Sequence, residues 1–364
     1  MRKAINIGIW GQFGDGKNIA DGQAVKTLIL YRELQNHYGE SAVSIVNTNG
    51  WRRHPIAMLY KSFMLVAHSE KVLILPADNG FKIFMPILYN INRIFHRDLI
   101  YIVIGGFLPM LLKSKTKYIG YLNQCRAIFA ETKTLTNDIS IQGVKNVFTL
   151  PNFKRLNARE KGDLGIDDNE KIRLCVFSRV TREKGIEDAM QAVRLANEKL
   201  KKQVITLDIY GLLPDSYKDE FLTLINQYAQ YVSYKGIVSF DKTVDTLKQY
   251  FAMLFPTYYH GEGFPGNIID AYNTGIPVIA TDWQYNRDIL QEGRNGLLVE
   301  PKNPFLLSEA ILKLYHDRNL AYQIAMNNLE DAKRYNPDVV LLKLYTFLDG
   351  QNNDCLEQNR EGNS

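Results

Sequence analysis

Short apolar runs alternate with longer segments of helical period from the start of the chain. "INIGIWG" (5–11) reads as a buried strand, and "GQAVKTLILYRELQNHYG" after it reads as a helix with apolar residues at Val25, Leu28, Ile29 and Leu34. The rhythm continues through "AVSIVNT", "KVLILPA", "IYIVIGG" and "AIFAET", each short, rich in strand-forming residues and followed by helical or loop material. Apolar strands separated by helices predict a doubly wound parallel sheet covered on both faces.

A second series starts after a break in the pattern. "NVFTLPNF" (146–153) closes the first, and "KRLNAREKGDLGIDDNEK" (154–171) has no apolar period and ten charged residues, which marks a linker. Strand "IRLCVFS", helix "GIEDAMQAVRLANEKL", strand "VITLDIYG", helix "SYKDEFLTLINQYAQ", strand "YVSYKGIV", helix "TVDTLKQY", and strands "FAMLFPT" and "IPVIATD" repeat the alternation. The prediction is an α/β protein of two Rossmann-like domains, 1–153 and 172–335, each of ordinary domain size. Helices "PFLLSEAILKLYHD", "LAYQIAMNNLEDAKRY" and "PDVVLLKLYTFL" close the chain. The last of them, over 336–348, is expected to return to the first domain, and 349–364 reads as a fraying tail.

Composition narrows the class. With 364 residues, 46% hydrophobic and 23% charged, the chain has the make-up of a soluble globular protein with more than one core. Its first residues run straight into a strand, with no signal-peptide pattern. The longest apolar run, "LIYIVIGGFLPMLL" (99–112), is broken by Gly105, Gly106 and Pro109 and is shorter than the roughly 20 residues a spanning helix needs. Cys125, Cys175 and Cys355 lack metal or redox spacing, so a cytoplasmic protein with reduced thiols is expected.

The net charge of +5 conceals an asymmetry, about +11 over residues 1–160 and about −6 beyond them. In the basic half, "WRRHPIAMLYKSFMLVAHSEK" (51–71) and "FKIFMPILYNINRIFHR" (81–97) mix cations with large aromatics. That composition suits helices lying on an anionic membrane face, and equally helices that face a core with solvated charges outside. No nucleic-acid recognition motif accompanies the charge, so nucleic acid is not an expected partner.

Two stretches carry candidate chemistry. In "YYHGEGFPGNIIDAYNTG" a loop between a buried strand and a short helix lies at the carboxyl edge of the sheet, where open α/β sheets bind ligands. Gly263 and Gly266 leave backbone N–H groups uncovered before the helix N-terminus, Glu262 hangs in the same crevice, and Asp270, near the first turn, reaches another part of one extended ligand. In "FSRVTREKGIEDAMQAV" (177–193), Arg179 and Lys184 flank a turn that opens a helix after Gly185. Two cations at a helix N-terminus fit a diphosphate. Taken singly, a basic loop of this kind is more often plain solvated surface.

Both motifs together, with "LDIYGLLPDSY", "YKGIV" and "EGRNGLLVE" in this order, resemble the nucleotide-sugar domain of glycosyltransferase family 4, retaining enzymes of GT-B fold, over about 170–335. The N-terminal half is similar only in outline. The resemblance implies two Rossmann-like domains facing a cleft, transfer with retention of configuration, and no metal or other cofactor. It implies that Arg179 and Lys184 hold the donor diphosphate, and that Glu262 lies beside the hydroxyls of the transferred sugar. Gly263, Phe264, Pro265, Gly266 and Asn267 would turn their amides to sugar and phosphate, Asp270 would accept from the ribose, and Gly236 and Val238 would face the base. Gly22 and Gln23 stand where the family has a Gly-Gly loop near donor and acceptor. The chain departs from the family at Gln23, in place of the second glycine, and at Asp270, in place of a glutamate; none of its N-terminal histidines is matched.

Sequence agrees on the metal to the extent that no two aspartates stand two apart, so the D-x-D pair that presents a divalent ion to a diphosphate is missing. The expected partners are a nucleotide-sugar donor and a glycan or lipid-linked acceptor, as in capsule, O-antigen and exopolysaccharide assembly, with peripheral membrane contact through the basic half. The alternatives are a GT-B-fold epimerase or phosphorylase, the latter needing a lysine for pyridoxal phosphate, and a non-catalytic sugar-nucleotide-binding partner.

Overall fold

The computed structural model describes residues 5–14, 22–155, 158–164, 169–239 and 242–350. Cys355, most of the 349–364 tail and most of the loop between Gly14 and Gly22 lie outside the described residues. The chain forms two compact units, one running to Lys154 and resuming at Tyr335, the other spanning Arg155–Arg334.

The first unit is built on β1 (Ile7–Gly11), β2 (Val43–Asn47), β3 (Lys71–Leu75), β4 (Asp98–Ile102), β5 (Ala127–Ala130) and β6 (Val147–Thr149), in the order β2-β1-β3-β4-β5-β6. All pairs are parallel, with Ile7 opposite both Val43 and Lys71. Helices on both faces exclude water from the central strands, so every residue of β1 and β5 is buried while edge strand β2 buries only Val43 and Val46. Trp10 is 1% exposed and donates its indole N–H to Ser62 Oγ at 3.0 Å, the partner a buried indole needs.

The "PDVVLLKLYTFL" segment belongs to this unit: Val340, Leu341, Leu344, Phe347 and Leu348 share a core with Ile7, Leu30 and Phe129. His37 stacks on Tyr345 at 3.9 Å and Tyr38 donates to Asp349 at 3.0 Å. The segment is two short helices, Pro337–Val340 and Leu342–Leu348, and not the single helix its apolar pattern predicts.

The second unit holds β7 (Ile172–Phe177), β8 (Ile205–Tyr210), β9 (Val232–Gly236), β10 (Ala252–Phe255), β11 (Val278–Thr281) and β12 (Leu297–Val299), in the order β12-β11-β10-β7-β8-β9. The predicted strands are present, and "EGRNGLLVE" supplies the sixth, which the pattern alone did not mark. This is the dinucleotide-fold order, in which the first strand of the unit lies beside its fourth and the chain reverses direction across the sheet between them. Cys175 of β7 therefore pairs with Met253 of β10, and the loops that follow these two strands open side by side. Among the described residues no helix is long and apolar enough to cross a membrane.

Candidate active site

The loop after β7 runs through a single turn, Arg182–Lys184, into the helix Ile186–Leu200, and the loop after β10 leads into the helix Gly266–Thr274. Gly185 joins turn to helix at φ 69°, a left-handed conformation that costs a residue with a Cβ about 1–2 kcal/mol. It sits against Pro256 of the second loop, where a Cβ would lie 2.0 Å from the Pro256 carbonyl oxygen. Tyr258 N donates to Glu183 O at 2.8 Å and locks the two loops together.

At this junction Lys184 Nζ donates to Glu262 Oε2 at 2.5 Å, with the two side chains 14% and 11% exposed. The same carboxylate oxygen accepts from Thr257 Oγ1 at 3.0 Å, and the Thr257 carbonyl accepts from Thr281 Oγ1 at 2.5 Å. The ammonium lies 5.0 Å from the Tyr259 ring centroid and 5.9 Å from that of Phe255. A lysine held by a carboxylate and two aromatic faces has little rotamer freedom left to lose on meeting a ligand. Arg179, in the same loop, is exposed and has no side-chain partner among the described residues. The site thus presents one fixed cation and one available guanidinium at the switch point of the sheet, an arrangement suited to a diphosphate.

Residues 157–331 match the family model of the glycosyl transferases group 1. The second unit is a glycosyl transferases group 1 domain. The chain is 23% identical over 154 residues to an uncharacterized glycosyltransferase of Methanocaldococcus jannaschii, covering 41% of this chain and 38% of that protein. It is 22% identical over 264 residues, 71% of this chain and 67% of the relative, to the N,N'-diacetylbacillosaminyl-diphospho-undecaprenol alpha-1,3-N-acetylgalactosaminyltransferase of Campylobacter jejuni. It therefore spans between about two fifths and two thirds of the length of these curated relatives. Among solved structures, Anabaena HepE in complex with UDP-glucose superposes with a TM-score of 0.73 at 16% identity, over 95% of this chain and 100% of that one. The fold is accordingly GT-B, with two Rossmann-like units.

Within the group 1 domain the other sequence-predicted residues take different places. Gly263, Phe264 and Pro265 are buried, and the helix from Gly266 has no side-chain cap at its N-terminus. Asn267 Nδ2 donates to Phe177 O at 2.5 Å, which ties this helix to the end of β7, while its Oδ1 is buried without a partner. The helix starts at Gly266, so Asp270 is its fifth residue, just past the first turn, and is 3% exposed. Gly236 has φ 77° and its carbonyl accepts from Gly211 N at 2.8 Å; Val238, just beyond β9, is half-buried. Gly22 and Gln23 lie in the first unit, at the start of the helix Gly22–Tyr38. There Gln23 Nε2 donates to Leu75 O at 2.9 Å, joining that helix to the end of β3, the neighbour of β1 at the first sheet's own reversal point. A second glycine could not make this bond.

Sequence reasoning missed Thr257 and Tyr259. A lone threonine ending the apolar run "FAMLFPT" was the available signal for the first, since Thr257 is fully buried and needs a polar partner. Among the described residues no three of His, Cys, Asp or Glu group as metal ligands.

Proposed function

We propose that the chain is a retaining glycosyltransferase that moves a sugar from a nucleoside-diphosphate sugar to a hydroxyl of a glycan or lipid-linked acceptor. The observation that carries this reading is the Lys184–Glu262 pair at the switch point of the group 1 domain, with the Arg179 guanidinium available in the same loop. Lys184 and Arg179 bind the diphosphate and stabilise the charge that grows on it as the glycosidic bond breaks, which is where preorganised cations lower a barrier most. Glu262, fixed by Lys184 and Thr257, keeps a carboxylate oxygen for a hydroxyl of the transferred sugar. The uncapped amides before Asn267 face the same ligand, and Asp270 with the backbone of Gly236 and Val238 takes the nucleoside.

In this reading two cations and a helix N-terminus do the work of a divalent ion, so transfer needs no metal. The first unit receives the acceptor. The nucleotide sugar is supported by HepE, whose structure was solved with UDP-glucose, and the lipid-linked acceptor by the name of the Campylobacter relative. A place on the inner face of the cell membrane, in cell-surface polysaccharide synthesis, is supported by the helix Pro55–His68. It exposes Ile56, Leu59, Tyr60, Phe63 and Met64 along one stripe, with Arg52, Arg53 and Lys61 close by in sequence.

The test is a thermal-shift titration with UDP-, GDP-, ADP- and dTDP-sugars, with and without EDTA, on the wild type and on Arg179→Ala/Lys184→Ala. One donor is expected to stabilise the wild type in EDTA and to leave the double variant unmoved. The anomeric proton coupling of the transferred sugar then reports retention. Stabilisation by no donor would sink the donor-site assignment, and interconversion of free donor without acceptor would favour an epimerase.

A further inference from the structure

A cavity of about 320 Å³ opens in the second unit at the amino edge of the sheet, the edge opposite the Lys184–Glu262 pair. Ile172 and Arg173 begin β7 there, Tyr250 and Phe251 lead into β10, and Ile276 and Pro277 lead into β11. The six residues of β7 separate the two edges, roughly 20 Å at about 3.3 Å per residue.

Among the described residues five cations line the cavity, Arg159, Lys171, Arg173, Lys248 and Arg318, and no carboxylate does. Four of the five stand beyond residue 160, in the part of the chain whose net charge is negative. Two of the five are already compensated, Arg173 by Asp208 at 2.8 Å and Lys248 by Asp245 at 2.6 Å. Arg159, Lys171 and Arg318 form no ion pair among the described residues. Arg159 donates to Asp163 O at 2.7 Å and Arg318 to Asn169 O at 3.1 Å, both main-chain carbonyls.

Arg318 is the most constrained of them. Its guanidinium carbon lies 4.7 Å from the Phe251 ring centroid and 4.9 Å from that of Tyr315, so the plane is held between two aromatic faces. Its Nη1 is nevertheless buried with no acceptor. A buried donor without a partner is costly, and an incoming oxyanion would remove that cost. Neighbouring cations raise each other's energy in the same way, which an incoming anion relieves.

We propose that this cavity is a second anion site, taking the phosphate of a soluble phosphorylated small molecule and distinct from the sugar-nucleotide site. A phosphate dianion matches three cations that form no ion pair among the described residues, two of them guanidinium forks, better than a single carboxylate does. The volume is at the small end of small-molecule sites, and Ile172, Phe251, Ile276 and Pro277 supply apolar wall for the rest of such a ligand. Nothing in this assignment depends on the glycosyltransferase reading.

The test is calorimetric titration of the full chain with inorganic pyrophosphate, carried out in the Arg179→Ala/Lys184→Ala background so that the carboxyl-edge site is disabled. One saturable site is expected there, weakened at least tenfold when Lys171→Ala and Arg159→Ala are added. Lys171 is exposed and Arg159 is half-buried with its guanidinium on a main-chain carbonyl, so neither is part of a core, and circular dichroism verifies that the fold is kept. Absence of saturable binding in that background would overturn the proposal, as would binding that Lys171→Ala/Arg159→Ala leaves unchanged. Sedimentation with phosphatidic acid vesicles, lost in the same variants with no binding of free pyrophosphate, would overturn it in favour of a lipid headgroup.

Discussion

Gly185→Ala tests whether the loops after β7 and β10 are locked together as the structure has them. Two costs act at this position. The φ of 69° is left-handed, which costs alanine about 1–2 kcal/mol, and the new Cβ would lie 2.0 Å from Pro256 O and 2.7 Å from its carbonyl carbon. Those are backbone atoms that no rotamer change can move, so one loop must shift, an overpacking cost of about 1–3 kcal/mol. Gly293 provides the control: its φ is 72°, yet nothing lies within 4 Å of its Cβ position, so Gly293→Ala carries the conformational cost alone. The difference between the variants, about 2 kcal/mol, is the steric term, and it corresponds to roughly 30-fold in an opening equilibrium.

Hydrogen exchange by mass spectrometry reads the helix Ile186–Leu200 separately from the first unit. Its amides are expected to exchange about 30-fold faster in Gly185→Ala than in Gly293→Ala. Because Pro256 leads directly into Thr257, which holds Glu262, the shift also breaks the Lys184–Glu262 contact, and donor-induced stabilisation is lost in Gly185→Ala only. Equal exchange in the two variants would refute the reasoning, because the Gly185–Pro256 approach would then not constrain the loops.

Two further outcomes follow from the charges around the site. Lys184→Met leaves the Glu262 carboxylate, 11% exposed, with the Thr257 hydroxyl at 3.0 Å as its remaining donor among the described residues, and should cost about 3 kcal/mol in urea unfolding. Lys184→Met/Glu262→Gln should cost less than the sum of the single changes by about 1 kcal/mol or more, and simple additivity would refute a coupled pair. Asp188, in the first turn of the helix after Gly185, has its carboxyl pushed up to about 6 by burial, with Glu187 adding and Lys302 opposing. A folded-state value above the unfolded one means the folded state holds the proton more tightly, so stability declines as pH rises from about 4 to 6 and the loss is complete above that. Asp188→Asn should therefore raise stability at pH 7.5 by about 1 kcal/mol, reduced from the full linkage value by solvent screening, and change nothing at pH 3.5. A gain of the same size at both pH values would refute the burial argument.

Much of the fold was legible in one dimension because parallel strands buried on both faces are written as unbroken apolar runs. The helix period likewise marks most helices, but not always the inner face: Gly22–Tyr38 buries Ala24, Thr27, Leu30 and Leu34, and leaves Val25, Leu28 and Ile29 half-exposed. The motif "REKG" before a helix and "GEGFPG" after a strand also marked the carboxyl edge of the second sheet without any coordinates. What the chain does not state locally is which strands become neighbours. Lys184 and Glu262 are 78 residues apart, and they meet because the crossover puts β7 beside β10. The same holds for Gln23, whose departure from a glycine pair became intelligible only once Leu75 O was found at the other side of a strand pair. Asp270 falls just past the first turn because the helix begins two residues earlier than its apolar pattern, and the break at Leu341 has no sign in an apolar stretch that runs straight through it. The basic cavity at the amino edge had no sequence signal at all. Its cations come from positions 159 to 318, separated by strands and helices, and only the packing of one sheet places them around a common space. Periodicity records what each segment buries, a property of neighbours along the chain; the sites depend on strand order, which is decided by the packing of whole elements against each other.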